Sequence, residues 1–160
     1  MSHRYPFHLF KGHPNSYGFS GINRNADIRE DKNWKRRLFD DPSTKFLLYW
    51  RSKSLVSEPK LGSPFATELN LKEISQLADI SDNAIFLGQK NGEHYVGLDV
   101  SSVDEGEVNE ILPKDSSFRD LREVGAILDR FDSCVLAYCR AMFHWHQNNK
   151  FCGACGGKTI

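Results

Sequence analysis

Apolar positions change their period several times along the chain. KFLLYWRSKSLV (45–56) carries a continuous apolar run from Phe46 to Trp50, a polar break at Ser52–Ser54, and then Leu55–Val56. That pattern predicts a β-hairpin. AIFLGQ (84–89) and EHYVGLDVS (93–101) flank Lys90-Asn91-Gly92, and Asn-Gly between apolar runs is the strongest short hairpin signal. In the second of these strands Tyr95, Gly97 and Asp99 share one face, and His94, Val96, Leu98 and Val100 the other.

Helical spacing appears elsewhere. Asp27 caps a predicted helix reaching Phe39, with Trp34 and Leu38 on its apolar side, that ends before the Asp-Asp-Pro turn at Pro42. In ELNLKEISQLAD (68–79), Leu71, Ile74, Leu77 and Ala78 recur at helical intervals behind a cap at Asn70. The acidic stretch 104–110 reads as a surface loop. SFRDLREVGAILDRF (117–131) aligns Phe118, Leu121, Val124 and Leu128 as one helical face. Asp132 or Ser133 then caps a last helix whose apolar face is Val135, Cys139, Met142, Phe143 and His146. Residues 12–25, rich in Gly and Pro, predict an irregular segment pinned by Tyr17 and Phe19. Together these elements make a mixed, α+β domain followed by a cysteine-containing knuckle.

Composition narrows the classes. Hydrophobic residues make up 39% of the 160, with 11 phenylalanines, enough to bury a core. Lys+Arg and Asp+Glu balance at 21 each, so the chain has no overall electrostatic pull toward nucleic acid or anionic membrane. No apolar run approaches the roughly 18–20 residues that span a bilayer, and the N-terminus lacks a signal-peptide core. A cytoplasmic, reducing location is expected. There Cys134, Cys139, Cys152 and Cys155 read as metal ligands or buried thiols, not as a disulfide framework. The basic cluster Lys32, Lys35, Arg36 and Arg37 lies on a helix with Asp31 and Asp40–Asp41 nearby and reads as a solvated helix face.

The chemistry is concentrated in NKFCGACGGKTI (149–160). A C-x-x-C turn brings two thiolates to one side of the backbone, where they can bind one tetrahedral zinc, and Gly153, Gly156 and Gly157 suit that turn. Cys152 and Cys155 are therefore candidate zinc ligands. Two other readings compete: an exposed tail with two unliganded thiols, and a redox dithiol. A redox dithiol ordinarily opens a helix after a strand, whereas this pair follows a helix. His144 and His146 lie just upstream, but on a helix beside Trp145 they read as core or helix-end histidines. Cys134 and Cys139 read as small buried hydrophobes.

AYCRAMFHWHQNNKFCGACGG (137–157) resembles the junction in NADH pyrophosphatases of the Nudix superfamily. In that family a helix ending in an Ala-Arg-Ala…Trp-His pattern runs into Phe-Cys-x-x-Cys-Gly, the first half of a four-cysteine zinc ribbon. Ala137, Arg140, Ala141, Trp145, His146, Phe151, Cys152, Cys155 and Gly156 stand in those places, while Cys139 departs from the pattern. More loosely, residues 19–56, the AIFLG…YVGLDVS hairpin and FRDLREVGAILD are similar to the family's degenerate Nudix-like N-terminal domain. The resemblance implies a Nudix-like domain over 1–132, a connecting helix over 133–150 and a first zinc knuckle over 151–160. It implies, too, that the remaining zinc ligands come from a second C-x-x-C about fifteen to twenty residues onward, so the chain is expected to be an N-terminal fragment.

The family's catalytic motif, G-x5-E-x7-R-E-U-x-E-E-x-G-U with U bulky and aliphatic, holds Mg²⁺ or Mn²⁺ on several carboxylates. RDLREVGA (119–126) is the only tempting stretch. Aligned on Arg122-Glu123-Val124, it places Ala126 and Ile127 where the glutamate pair belongs and Lys114 at the upstream glutamate. Aligned on Arg119, it puts Val124, Ala126 and Ile111 in place of the second glutamate, the glycine and the upstream glutamate. Neither register leaves a metal cluster. No catalytic residue is assigned, and cofactor-binding residues stay open. The resemblance thus implies a parent enzyme, an NAD(H) diphosphatase yielding NMN(H) and AMP, with Mg²⁺ or Mn²⁺ in a catalytic domain outside these residues. Structural Zn²⁺, a homodimer and, in some members, NAD-capped RNA as substrate accompany it. The alternative is a short non-catalytic zinc-binding assembly module.

Overall fold

A computed structural model describes residue 17, residues 21–75 and residues 83–159. In chain order its elements are α1 (Ala26–Glu30), α2 (Trp34–Phe39), β1 (Thr44–Trp50), β2 (Lys53–Ser57), β3 (Phe65–Ala66), α3 (Leu71–Ile74), β4 (Ala84–Lys90), β5 (Glu93–Asp99), α4 (Glu105–Ile111), β6 (Ser116–Arg119), α5 (Leu121–Val124) and α6 (Arg130–Asn148). The fold class is α+β, as the pattern predicts: one mixed six-stranded sheet with helices on both faces.

Parallel pairing of β1 with β5, Phe46 opposite Val96 and Leu48 opposite Leu98, forms the sheet's centre. β4 continues from β5 through the Asn91-Gly92 turn, where both residues take the left-handed φ (52° and 87°) that the turn type demands. The β1–β2 turn achieves the same geometry with Arg51 and Ser52 (φ 47° and 69°), one residue earlier than expected. β2 pairs along one edge with β6 and along the other with β1 and then β3.

Because helices cover both faces, β1 is buried on both sides, the physical reason its sequence is a continuous apolar run. Phe46, Leu48 and Trp50 join one core cluster with Leu38, Phe86, Val96, Leu98 and Val108; Leu47 and Tyr49 join the other with Tyr95, Leu121, Val135, Cys139 and Phe143. The predicted alternation in β5 is observed, Val96 and Leu98 facing the first cluster and Tyr95 the second.

Four expectations require correction. The helix expected from Asp27 to Phe39 is two short helices, broken where the Asp31 carboxylate accepts the Asn33 N–H at 2.9 Å and closes a local turn. The expected loop at 104–110 contains α4, whose acidic first turn suits a helix N-terminus and whose Val108 is fully buried. The single helix expected over 117–131 is a strand, a turn of helix and a loop. Ser116–Arg119 completes the open edge of β2, sending Phe118 against Trp50 at 5.6 Å on one face of the sheet. Leu121, Val124 and Leu128 pack on the other. Finally, the last helix is capped by Asp129, which accepts the Asp132 N–H at 2.8 Å, and not by Asp132 or Ser133. Asn70 does cap α3, with Glu73 reaching back to the Asn70 N–H at 2.7 Å. Leu77 and Ala78 lie outside the described residues, as do Phe19 and most of the segment 12–25. The described Tyr17 donates to the Leu121 carbonyl at 3.0 Å.

Asp132 is freed from capping for another task. Asp132 is 8% exposed, and its carboxylate accepts the Ala66 N–H at 2.7 Å, tying the two-residue β3 to α6. Burial, with Asp129 adding to it, pushes this carboxyl above the ordinary 3.8, against the Ala66 N–H and Lys90. The fold therefore holds the acid's proton more tightly than the unfolded chain does. Its stabilising contribution is complete below about 3.8 and is lost as pH rises through the elevated value. Asp132→Asn keeps an acceptor for Ala66 and removes the buried charge. Its unfolding free energy is expected to equal or exceed that of the parent at pH 7, with the difference shrinking toward pH 4, as read by urea titrations across that range. A variant less stable than the parent at pH 7 would show that the ionised form is the one the fold prefers.

Candidate functional site

The site grows out of α6. Its N-terminal two-thirds lies across the sheet through Val135, Leu136, Cys139 and Phe143. Gly97, at the middle of β5, makes this approach possible: a Cβ there would stand 2.6 Å from the Cys139 Sγ and 3.1 Å from the Phe143 ring. Phe143 stacks on Tyr49 at 5.0 Å. Cys134 and Cys139 are buried, as expected, and burial raises both thiols above the usual cysteine range.

Beyond Phe143 the helix leaves the sheet. His144 and Trp145 are exposed, and so is His146, in place of the core position its spacing suggested. The physical reason is that α6 reaches the margin of the sheet at Phe143, so its last turn meets only the ends of β4 and β5, at Ala84, Ile85 and Asp99. His146 instead borders a 420 Å³ groove with Lys35, Asp99, Phe143, Gln147 and Lys150, where Gln147 donates to Asp99 at 3.2 Å.

The chain then folds into a knuckle. Asn149 N–H donates to the Trp145 carbonyl at 2.9 Å and closes the helix, and Thr159 returns to Lys150 (N–H to carbonyl, 2.9 Å). Phe151 and Lys158 form a β-bridge; inside it Cys152 N–H donates to the Gly157 carbonyl at 2.7 Å and Gly156 N–H to the Cys152 carbonyl at 2.8 Å. Gly156 has φ 68°, a left-handed conformation that glycine adopts without strain. The N–H groups of Cys155 and Ala154, with the Cys155 thiol, point at the Cys152 sulfur and hold its thiol below the usual range. Cys155 is exposed and Cys152 half-buried. A turn that aims N–H groups at one sulfur and leaves both thiols accessible is the geometry in which two thiolates hold a metal ion. Cys152 and Cys155 thus fit zinc. Among the described residues, no group of three or more His, Cys, Asp or Glu side chains could hold a metal ion.

The carboxylates of the tempting 119–126 stretch are engaged otherwise. Asp120 caps α5 and pairs with Arg122 (2.8 Å) and Arg140 (3.0 Å). Arg122, by its side chain and its N–H, and then Arg140 hold the Asp120 carboxyl well below the usual range. Glu123 faces Arg119, which also grips Glu58 with both carboxylate oxygens at 2.6 and 2.7 Å. In the basic cluster, Arg37 pairs with Asp31 at 3.1 Å.

Sequence reading missed Gly97 and Asp132. Gly97 carries a signal, a glycine inside an otherwise apolar strand, which marks close backbone approach. Asp132 carries none, because its partner is a backbone amide 66 positions away.

A mixed sheet sandwiched by short helices, with a long helix running into a two-thiol knuckle, defines a domain of the Nudix-like class. Residues 43–145 match the family described as the NADH pyrophosphatase-like rudimentary NUDIX domain, and the chain belongs to that family. The knuckle lies just past the matched residues. The chain is also 31% identical, over 85 residues, to the chloroplastic Nudix hydrolase 19 of Arabidopsis thaliana. That alignment covers 49% of this chain and 19% of the relative, so the chain spans about a fifth of that protein's length. Among the described residues, no helix is long and apolar enough to cross a membrane.

Proposed function

We propose that these 160 residues are the non-catalytic N-terminal part of an NAD(H) diphosphatase. The observation that carries this reading is the junction itself: a rudimentary NUDIX domain of the NADH pyrophosphatase-like kind leads, through one helix seated on its sheet, into a formed C-x-x-C knuckle. In the whole enzyme, water attacks one phosphorus of the dinucleotide pyrophosphate and breaks the P–O–P bridge, releasing NMN(H) and AMP. Mg²⁺ or Mn²⁺ in a catalytic Nudix domain outside these residues supplies the charge neutralisation for that step. NAD-capped RNA 5′ ends present the same pyrophosphate.

The role of this domain is positional. Cys152 and Cys155 hold a structural Zn²⁺, and α6 fixes the knuckle, and whatever the metal joins to it, relative to the sheet. The domain contributes to a cytoplasmic homodimer.

Two measurements test the reading. The purified 160-residue chain, given NADH and Mg²⁺, is expected to form no NMNH or AMP above a protein-free control by chromatography. EDTA-sensitive turnover proportional to chain concentration would overturn its non-catalytic status. The natural gene product is expected to have an intact mass well above 18.3 kDa and to cleave NADH when Mg²⁺ is added. A natural product of 18.3 kDa would favour a zinc-binding assembly module instead.

A further inference from the structure

We propose that the pocket between Tyr17, α5 and α6 binds a nucleoside monophosphate, its phosphate on Arg122 and Arg140 and its base against the Tyr17 ring. The inference rests on this pocket and not on the diphosphatase reading.

Ala137, Arg140, Ala141 and His144 recur at i, i+3, i+4 and i+7, so they share one face of α6. Leu121 and Arg122 of α5 and the side chain of Tyr17 complete a cavity of 380 Å³ with them. That volume lies within the range of about 300–1,000 Å³ usual for small-molecule sites, which combine an apolar lining with a few placed polar groups. Here Leu121, Ala137 and Ala141 supply the apolar part and the two arginines the charge.

The arginines are held in place before any ligand arrives. Asp120 accepts from Arg122 Nη2 at 2.8 Å and from Arg140 Nη1 at 3.0 Å. One carboxylate between two guanidiniums leaves the group with a net positive charge. Each guanidinium carries five N–H donors in a rigid fork, more than a shared carboxylate engages, and that fork matches a phosphate bidentately. Among the described residues, no carboxylate lines the pocket to repel an anion.

Tyr17 is fixed as well. Its hydroxyl donates to the Leu121 carbonyl at 3.0 Å, and it sits so close on Gly125 that a Cβ there would collide with the hydroxyl and the ring. Tyr17 is still 45% exposed, which leaves it surface for a planar partner. A base stacked on this ring, with its phosphate at the arginine pair, uses both parts of the pocket. Inorganic phosphate or a free nucleoside uses only one.

The experiment is titration calorimetry of the purified 160-residue chain with AMP, adenosine and inorganic phosphate, with the alanine methyl resonances followed by NMR. AMP is expected to bind one per chain, about tenfold or more tighter than adenosine or phosphate, since base–aromatic stacking and the charged hydrogen bonds each contribute on that order. It should shift the methyl signals of Ala137 and Ala141. Arg122→Gln, at a side chain 83% exposed and with Asp120 still paired to Arg140, should weaken AMP and phosphate alike by about tenfold. Tyr17→Ala should lower AMP to the affinity of phosphate and leave phosphate unchanged, whereas Tyr17→Phe should keep AMP binding. Arg36→Gln, an exposed cation outside the pocket, should change nothing. No binding of AMP, AMP no tighter than inorganic phosphate or adenosine, methyl signals that stay in place, or an equal loss from Arg36→Gln would each overturn the proposal. None of these outcomes depends on whether the chain belongs to a diphosphatase.

Discussion

Phe46→Ala is expected to cost about 3–5 kcal/mol of unfolding free energy, a large part of the roughly 5–15 kcal/mol typical of a domain. Phe46 is fully buried. Its strand pairs with β5, its backbone exchanges hydrogen bonds with Leu69 (2.7 and 3.0 Å), and its ring meets Phe39 edge-on at 5.0 Å. Truncation removes the ring from a position enclosed by the sheet and by α2, where neighbours cannot collapse to fill the space. Urea denaturation followed by tryptophan fluorescence measures the loss. Phe65→Ala is the control: Phe65 is 48% exposed at the sheet margin, and its change should stay within about 0.5 kcal/mol. Equal losses at the two positions would refute the placement of the core.

The second large effect comes from adding atoms. Gly97→Val is expected to destabilise by about 3 kcal/mol, because even its Cβ would stand 2.6 Å from the Cys139 sulfur and its methyl groups must displace Phe143. The helix would lift from the sheet at the point where it carries the knuckle. Gly97→Ala should cost less, and Cys139→Ala in the same chain should restore part of that loss, since it removes the atom in the way. Additive losses in this cycle would mean that the two positions do not touch. If Gly97→Val instead left the denaturation midpoint unchanged, α6 would not be packed as described, and its role in positioning the knuckle would fall with it.

Much of this was legible in advance. β1, β4 and β5 were readable because a strand buried on both faces must be apolar throughout, and because Asn-Gly accepts the left-handed turn locally. Asn70 was readable as a cap because Glu73 completes a box within four residues. The C-x-x-C turn was readable for the same reason: its hydrogen bonds close within residues 151–158.

The misreading of residues 117–131 has a distant cause. Phe118, Leu121, Val124 and Leu128 recur at helical spacing, yet the sheet passes between the first and the rest. The free edge of β2, more than 50 positions away in the chain, offered Ser116–Arg119 a ladder that local periodicity could not foresee. α4 hid among acids because only Val108 and Ile111 mark its inner side. His146 kept the apolar spacing of α6 past the margin of the sheet beneath it.

By itself the sequence determined what closes over a few residues: the double-sided core strands, the Asn-Gly hairpin, the Asn70 cap and the two-thiol turn. Only the tertiary structure decided which edge β6 joins, that Asp132 serves Ala66 and not its own helix, and that Gly97 admits α6 to the sheet. Those outcomes depend on groups distant in the chain, whose backbone amides, sheet edges and excluded volume leave no periodic trace in the sequence that meets them.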